Sequence, residues 1–437
     1  MTTRSPIYER PVELLQNLIR FDTTNPPGNE VAIIAYLKQI IEEAGIKTTI
    51  LAKDDNRPNL IARLPGRGGA PPFLLYGHVD VVTTAGQQWT HPPFEAIIAD
   101  EMIWGRGALD MKGGIAMMVT AFLRLHAAGI KPAGDIILAI LADEEVDGNY
   151  GARYLVEEHA AMFAGVRYAI GEGGGVSIRM GGQKFYTIMV AEKQVCSMRA
   201  TMRGPAGHGS MPRRGGATAK LAQLLTTLEH RRLPVHVTAV TRQMLETIGA
   251  ALPLPSKLGL RLLLNPAFTG RVLDFLGDDG TLLNPLLHNT VSPNIVRGGD
   301  KINVIPAEIS VELDGRLLPG FTPDDMLAEL GALLGKDVEL EVTQYDPGAG
   351  EPDLALYPLL AQILREADPD GIPIPMLLSG VTDGRFFSKL GIQTYGFLPM
   401  DTPTGLIDTI HAANERIPVA AMEFGTKALT EALQRYQ

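Results

Sequence analysis

The 437-residue sequence predicts an α/β protein whose mixed, mostly parallel sheet carries flanking helices and is interrupted by an inserted ferredoxin-like α+β domain. Three observations support this fold class. Strand-like apolar runs alternate with helical patterns in the first part of the chain, as in parallel α/β sheets. Near residue 194 the pattern changes to a β-α-β-β-α-β order, the split βαβ arrangement. From about residue 348 the α/β character resumes. We therefore expect one domain in two parts, 1–193 and 348–437, and an inserted domain, 194–347.

The first part of the chain shows apolar residues at helical spacing over 12–21. Asn29 is placed to cap a second helix over residues 30–44, and Gly45 is placed to end it. A third helical pattern follows Asp110 and stops at Gly129. The remaining expected elements are strands at Thr48–Leu51, Asn59–Leu64, Phe73–Val79, Ile136–Ala142 and Arg167–Ile170, and a helix at Tyr150–Glu158.

The inserted domain is expected to contain four strands and two helices, with an irregular segment rich in Leu, Pro and Gly over residues 233–287. After residue 348 we expect one further helix and one strand. The strands are Gln194–Arg203, His288–Val296, Glu308–Arg316, Val338–Thr343 and Thr394–Leu398, and the helices are Ala217–His230, Pro323–Leu334 and Tyr357–Ala367.

Composition excludes several classes of protein. A hydrophobic content of 45% with 20% charged residues is typical of an ordinary soluble globular protein. The net charge of −10 comes without a basic cluster, so a nucleic-acid partner is not expected. Cys196 is the only cysteine, which excludes an intrachain disulfide. Residues 1–11 lack the apolar core of a signal peptide, and no apolar run reaches the roughly 18 residues of a membrane helix. We therefore expect a cytoplasmic protein without a membrane partner.

His78 and Asp80 end an apolar run of strand character. Residues i and i+2 of a strand point to the same side of a sheet. The Asp80 carboxylate can therefore hold the His78 imidazole while its other ring nitrogen faces a metal ion. The pair carries little weight alone, because His-x-Asp often occurs by chance.

Further acids recur near the ends of other predicted elements. Asp110 lies in a glycine-rich loop that enters a helix, where it could simply be an N-cap. Glu144 and Glu145 follow the strand that ends at Ala142, where acids are usually solvated. Ligands of α/β sheets, however, gather at the carboxyl ends of strands. A carboxylate there can act as a general base on a water whose pKa a metal has lowered to about 7.

Glu172 and His411 complete the set of possible ligands. Glu172 precedes three glycines, which would suit a phosphate cradle only if a helix followed directly. The segment 176–182 contains too many glycines for a helix, so nucleotide binding is not favoured. His411 alone would be a structural histidine. The set contains two histidines and three acids. If one acid bridges two metal ions roughly 3.5–4 Å apart, each ion also receives one histidine and one terminal carboxylate. This pattern predicts a hydrolase.

Six short motifs occur in order along nearly the whole chain, and together they resemble the M20 metallopeptidases. That family includes glutamate carboxypeptidases, aminoacylases, succinyl-diaminopimelate desuccinylases, acetylornithine deacetylases and dipeptidases. The resemblance implies a zinc-exopeptidase-like catalytic domain with a lid domain inserted into it. The motifs are Thr24–Glu30, Gly77–Asp80, Gly105–Gly113, Asp143–Glu145, Gly207–Ser210 and Asn303–Pro306.

The resemblance implies a role for each candidate residue. One zinc ion would be bound by His78, Asp110 and Glu172, and the other by Asp110, Glu145 and His411. Asp80 would orient His78, and Glu144 would be the general base acting on a water that bridges the metals. The peptide bond after Asp110 would be cis. The resemblance further implies three substrate-binding residues in the lid: His208, Asn303 and Arg316.

The resemblance leaves the substrate and the metal open. A peptidase of dipeptidase or carboxypeptidase type would cleave an amide next to a carboxylate-bearing residue, whereas an N-acyl-amino-acid deacylase would use the same mechanism. The substrate is thus a small peptide or an N-acyl amino acid. Two Zn²⁺ per chain are expected, and Co²⁺ or Mn²⁺ suits the same donors. The resemblance also implies a homodimer formed through the lid domain, with a monomer as the alternative.

Overall fold

The computed structural model describes residues 5–437 and divides into two compact units. The first unit comprises the chain up to Val190 together with Pro352–Met376 and Thr382–Gln437, and the second comprises Ala191–Glu351 and Leu377–Val381. Residues 1–4 of the N-terminal segment discussed above lie outside the described residues. No helix within the described range is both long and apolar enough to cross a membrane.

The strands of both units follow the chain order. They are β1 (Thr48–Ala52), β2 (Pro58–Leu64), β3 (Phe73–His78), β4 (Ile97–Ala99), β5 (Met102–Trp104), β6 (Ile136–Leu141), β7 (Tyr168–Gly171), β8 (Ser177–Met180), β9 (Gln183–Glu192), β10 (Gln194–Arg203), β11 (Gly207–His208), β12 (Thr290–Arg297), β13 (Val304–Ile305), β14 (Glu308–Leu317), β15 (Val338–Asp346), β16 (Gly371–Leu378), β17 (Gln393–Gly396) and β18 (Arg416–Pro418).

The α-helices are α1 (Pro11–Ile19), α2 (Val31–Glu43), α3 (Lys112–Ala127), α4 (Ala152–Glu158), α5 (Ala217–His230), α6 (Ala239–Ala251), α7 (Ser256–Leu263), α8 (Pro266–Leu276), α9 (Asp278–Leu283), α10 (Pro323–Leu334), α11 (Tyr357–Ala367), α12 (Gly384–Ser388) and α13 (Val419–Arg435). Short 3-10 helices occur at Ile7–Glu9, Ala160–Phe163, Asn284–Leu286 and Ile407–Thr409.

The first unit is built on a nine-stranded mixed sheet in the order β1-β2-β6-β3-β7-β17-β9-β16, with β8 paired to β9. Its centre is parallel, because β3 pairs in parallel with β6 and β7, and β7 with β17. The pairs β1–β2 and β2–β6 are antiparallel. Strands β3 and β6 are buried throughout, as expected for a sheet covered on both faces. The predicted fold class is confirmed.

The second unit contains a four-stranded antiparallel sheet in the order β12-β14-β10-β15. Burial alternates along β10 and β14, so one face of the sheet forms a core. Helices α5 and α10 pack on that face through Leu224 and Leu330. This arrangement is the expected ferredoxin-like βαββαβ order.

The prediction that residues 233–287 are irregular is wrong, because this segment forms helices α6–α9. Its prolines and glycines mark the helix ends. Pro266 occupies the first turn of α8, where a proline is tolerated, and the Asn265 side chain caps that helix. Gly277, with φ +58°, separates α8 from α9. We call residues 233–287 the helical segment.

Three smaller expectations also need correction. Glu30, and not Asn29, is the N-cap of α2, and it makes no side-chain capping bond. Asp110 does not cap α3, whose N-cap is Met111. The C-terminal helix α13 was not predicted, although it packs against α3 and buries Met422 and Leu429.

Candidate metal centre

The carboxyl edge of the central parallel strands places four side chains at one end of the sheet. His78 is the last residue of β3, and Glu172 directly follows β7. Glu144 and Glu145 follow β6 after a two-residue turn that includes Asp143 at φ +69°. Because β6, β3 and β7 are parallel neighbours, these side chains meet at the same edge.

One group of possible ligands joins His78, Asp110 and Glu172. The His78 Nε2 atom lies 3.1 Å from Asp110 Oδ1 and 3.6 Å from Glu172 Oε2. One donor atom from each residue lies within 4.8 Å of the other two. His78 is only 1% exposed, so this group is embedded in the fold.

A second group joins Asp110, Glu145 and His411. The His411 Nε2 atom lies 3.2 Å from Asp110 Oδ2 and 3.1 Å from Glu145 Oε2. Asp110 thus presents Oδ1 to one group and Oδ2 to the other, which is the geometry of a bridging carboxylate. The peptide bond between Asp110 and Met111 is cis, as the family resemblance predicted.

Glu144 lies beside both groups without belonging to either. Its Oε2 atom is 3.9 Å from His78 Nε2. Burial, and then the charge of Glu172, raise the pKa of Glu144 well above its usual range. A carboxylate that accepts a proton more readily than usual suits proton transfer.

Asp80 contacts both His78 of the first ligand group and the loop that carries Glu144 and Glu145. The His78 Nδ1 atom lies 3.0 Å from the Asp80 main-chain oxygen and 3.4 Å from its Oδ1. The two carboxylate oxygens of Asp80 also accept the backbone N–H groups of Glu144 and Glu145, at 3.2 Å each. Asp80 therefore orients more than the imidazole, and that wider role was not expected from the sequence.

A buried network continues behind Asp80. Asn25 donates to Asp80 Oδ2 at 2.9 Å and to Asp143 Oδ1 at 3.0 Å. Arg57 donates to Asp143 at 3.1 Å and to Glu30 at 2.7 Å. This network fixes the turn that carries Glu144 and Glu145. Sequence reasoning quoted Asn25 and Glu30 only as parts of a motif, and Arg57 carries no pattern that distinguishes it from a surface arginine.

Glu415 holds the loop of the bridging aspartate. Its fully buried carboxylate accepts the backbone N–H groups of Leu109 at 2.8 Å and of Asp110 and Gly107 at 3.0 Å. Arg106 donates to the same carboxylate at 2.6 Å. Four donors thus converge on one side chain, which fixes the backbone at Asp110. The sequence offered no signal for this role beyond the closeness of Glu415 to His411.

The donor set fits divalent metal ions. Asp110, Glu144, Glu145 and Glu172 converge on the two histidines, and none of these acids pairs with a lysine or arginine among the described residues. Glu145 Oε1 is buried with no hydrogen-bond partner in that part of the chain. Burial raises the pKa of Glu145 and Glu172, and the contacts with His411 and His78 offset only part of that rise. Oxygen and imidazole nitrogen are donors that zinc, cobalt and manganese accept.

The three expected substrate-binding residues lie in the second unit. His208 and Asn303 are brought together, because β11 pairs with β13 and the Gly209 N–H donates to the Asn303 oxygen at 2.8 Å. The Ser210 N–H donates to His208 Nδ1, so the Nε2 atom carries the proton in the neutral imidazole. Arg316 lies on β14, away from that pair of short strands, and donates to Asp314 on its own strand.

Comparison with known proteins gives concordant matches. The model of peptidase family M20/M25/M40 matches residues 74–435. A probable carboxypeptidase S-like 2 of Dictyostelium discoideum is 29% identical over 80% of this chain and 68% of its own length. The human N-fatty-acyl-amino acid synthase/hydrolase PM20D1 is 28% identical over 83% of this chain and 74% of its own.

Solved structures agree with these matches in fold. An M20 family metallo-carboxypeptidase from Sulfolobus solfataricus superposes with a TM-score of 0.68 at 18% identity, covering 98% of this chain and 99% of that one. The family model spans far more than half of the sequence and includes all five residues of the two ligand groups and Glu144. The chain therefore belongs to peptidase family M20/M25/M40, a family whose members hydrolyse peptide and amide bonds.

Proposed function

We propose that the chain is a two-metal hydrolase that cleaves an amide bond next to a carboxylate-bearing residue. The observation that carries the proposal is the position of Asp110, whose two oxygens face two separate groups of ligands. Each group contains one histidine and one further acid, and a catalytic zinc site with three protein ligands keeps one position open.

We assign His78, Asp110 and Glu172 to one ion, and Asp110, Glu145 and His411 to the other. Two such ions, zinc first and cobalt or manganese as substitutes, would lower the pKa of a water molecule and polarise a carbonyl. Elemental analysis of protein purified without chelator tests the assignment. We expect about two divalent ions per chain, as in two-metal hydrolases. Protein that contains no such metal, and stays inactive when zinc, cobalt or manganese is added, would contradict it.

Glu144 is the proposed proton carrier. It would take a proton from the attacking water and return it to the leaving amine, so that neither step needs a strong acid or base from solution. Its raised pKa supports this role because the carboxyl group can hold the proton between the two steps. We expect Glu144→Gln to bind metal normally and to lower kcat roughly 10²- to 10⁴-fold. Near-normal turnover with full metal content would refute the assignment.

The lid residues receive substrate-binding roles. The proton on His208 Nε2 makes that atom a donor suited to a carbonyl oxygen. Arg316 uses Nε and Nη2 for Asp314, and this pair leaves Nη1 available for a substrate carboxylate. Asn303 lies beside His208 on the paired strand. Substitution of each residue by alanine should raise KM or lower kcat while metal content stays unchanged.

The preferred substrates are small peptides with a free carboxyl terminus. An N-acyl amino acid is the alternative, favoured by the match to the human N-fatty-acyl-amino acid synthase/hydrolase. In both cases the leaving amine carries a carboxylate. Rates on dipeptides and on N-acetyl and long-chain N-acyl amino acids, measured side by side, separate the two. Faster hydrolysis of N-acyl amino acids would make the protein a deacylase instead of a peptidase. Hydrolysis of neither class of substrate would contradict both assignments.

A homodimer formed through the second unit remains a prediction, as does a cytoplasmic location. Strand β12 is an edge of the four-stranded sheet and exposes Ile295 and Val296. Unpaired edges of this kind invite pairing with another chain. Light scattering of the purified protein tests the dimer, and a Val296→Lys variant should return a dimer to monomers.

A further inference from the structure

The helical segment carries a set of cations that contrasts with the chain as a whole. Residues 231–273 contain six basic residues and one acid, Glu246, whereas the whole chain has a net charge of −10. Arg231 and Arg232 directly precede the helical segment. The other three acids of the segment, Asp274, Asp278 and Asp279, follow this stretch and make residues 233–287 neutral as a whole, and Asp274 pairs with Arg232 at 2.7 Å. The basic residues are Arg231, Arg232, Arg242, Lys257, Arg261 and Arg271.

Four of these six cations, Arg231, Lys257, Arg261 and Arg271, form no ion pair or side-chain hydrogen bond with the side chains that the structure describes. The last three lie on α7 and α8. Two exposed arginines on the sheet of the same unit are paired, Arg199 with Glu312 and Arg203 with Glu308. Lys257, Arg261 and Arg271 thus present positive charge that is not compensated locally by an ion pair.

Helix α7 combines these cations with exposed apolar side chains. Leu254, just before the helix, is 75% exposed and Leu258 is 53% exposed. Within the helix, the i, i+4 spacing places Lys257 and Arg261 on one stripe, and Leu258 lies on the adjoining stripe. The opposite face is buried through Leu263. Helices that rest on membranes show this combination of charge and apolar exposure.

Helix α8, which packs against α7, repeats the pattern. Phe268 and Phe275 are exposed, the latter by 89%, and Arg271 lies between them at i+3. The other face of α8 is buried through Thr269 and Leu273. Two successive helices therefore each carry a buried face and a second, exposed face with apolar and basic residues, and on α8 that face also holds Asp274, which pairs with Arg232.

A cavity of about 500 Å³ between α6 and α7 adds a place for an anionic group. Its lining includes Arg242, Lys257 and Arg261, with Asn265 at one end and Glu246 as its one acid. Glu246 lies 3.9 Å from Arg242, which leaves the other two cations uncompensated. Three cations around a space of this size suit a phosphate-bearing headgroup.

We propose that the helical segment docks on an anionic phospholipid surface, with Leu254, Leu258 and Phe268 in the outer acyl layer and Lys257, Arg261 and Arg271 at the headgroups. The charge favours this occupant over a second copy of the chain, because a two-fold contact would bring like cations together. The expectation of no membrane partner rested on the lack of a spanning helix, which does not bear on peripheral binding.

The test is sedimentation of the full-length protein with vesicles of phosphatidylcholine alone and of phosphatidylcholine with phosphatidylglycerol. We expect binding to the anionic vesicles only, weakened by added salt because the charges are exposed. Each basic residue near an anionic membrane surface raises the vesicle-binding constant roughly fivefold. The double variant Lys257→Glu/Arg261→Glu should therefore bind the anionic vesicles at least roughly 30-fold more weakly.

The matched control is Lys47→Glu/Lys53→Glu, which changes the net charge equally at exposed positions of the first unit. It should bind like the wild type. Leu258→Ser should weaken binding, whereas Ile98→Ser, at an apolar residue of similar exposure in the first unit, should not. Circular dichroism confirms that each variant is folded.

Three outcomes would overturn the proposal. The first is no binding to anionic vesicles, and the second is equal loss of binding in the control and in the Lys257/Arg261 variant. The third is a change of oligomeric state in the Leu258 variant without any vesicle binding, which would make a second copy the occupant. None of these measurements depends on hydrolytic activity, so the result stands apart from the proposed function.

Discussion

The two halves of the candidate metal centre share Asp110 and the same donor chemistry, yet they differ in burial. His78 is 1% exposed and lies at the end of a core strand, whereas the His411 side chain is 53% exposed and sits in a loop at φ +60°. We call them the buried half and the open half. The fold itself fixes the buried half, while the open half depends on a loop, so we expect the open half to lose metal first.

The largest effect should come from removing one histidine at a time. His78→Ala and His411→Ala should each lose one metal ion and lower activity more than the 10- to 100-fold typical of residues that only orient a ligand. Only His78→Ala should also lower the Tm of the metal-free protein, because it leaves a cavity in the interior and removes one of the partners of the buried Asp80. Elemental analysis and thermal unfolding give both values. Equal Tm losses in the two variants would break the distinction.

The support of the shared Asp110 should rank second. Glu415→Gln leaves one oxygen to accept from four donors and turns an amide N–H₂ group toward them. The free energy of unfolding should therefore fall by about 3–5 kcal/mol. Glu423→Gln, at the exposed partner of Arg124, is the control and should change stability by no more than about 1 kcal/mol. Urea unfolding measures both. Similar values would mean that the Glu415 network does not stabilise the loop.

A smaller loss of activity and metal affinity is expected from changing Asp80, which contacts His78 in the buried half. Asp80→Asn keeps the shape of the side chain but weakens its hold on His78 and on the acidic loop. Activity and metal affinity should fall roughly 10- to 100-fold. Asp135→Asn, at a partly exposed carboxylate paired with Arg63, should leave both unchanged. Competition with a chelator measures the affinity, and an unchanged value for Asp80→Asn would remove its orienting role.

The smallest effect should be the response of the open half to pH. Hydrogen bonds to Asp110 and Glu145 raise the pKa of His411 to about 10 in the metal-free protein. Below that pH a metal ion must displace a proton, so its affinity should rise by up to about tenfold per pH unit as the pH increases. Metal titration of His78→Ala, which retains the open half, tests this between about pH 6 and 8. A pH-independent affinity would contradict it.

The sequence predicted the ligands because they occupy positions with a clear topological meaning. His78 and Glu172 end adjacent parallel strands, and the end of a strand can be recognised from its apolar pattern. Glu415 and Arg57 could not be recognised in the same way. Their burial depends on contacts with distant parts of the chain, and a charged residue in a loop is normally exposed.

The helical segment was missed for a different reason. Its prolines suggested loops, although a proline in the first turn, such as Pro266, begins a helix without loss of a hydrogen bond. Elsewhere in the inserted domain, the alternation along residues 194–203 predicted strand β10 to the residue.

The ends of the helical segment meet at its base, where Val235 pairs with His288 and the His236 N–H donates to the Leu287 oxygen at 2.7 Å. The chain thus leaves the ferredoxin-like framework and re-enters it at one point, between α5 and β12. Because its two ends are adjacent, the helical segment is a modular insertion. A short turn could replace residues 237–286 without shifting the register of the sheet, so evolution can exchange this segment independently of the chemistry.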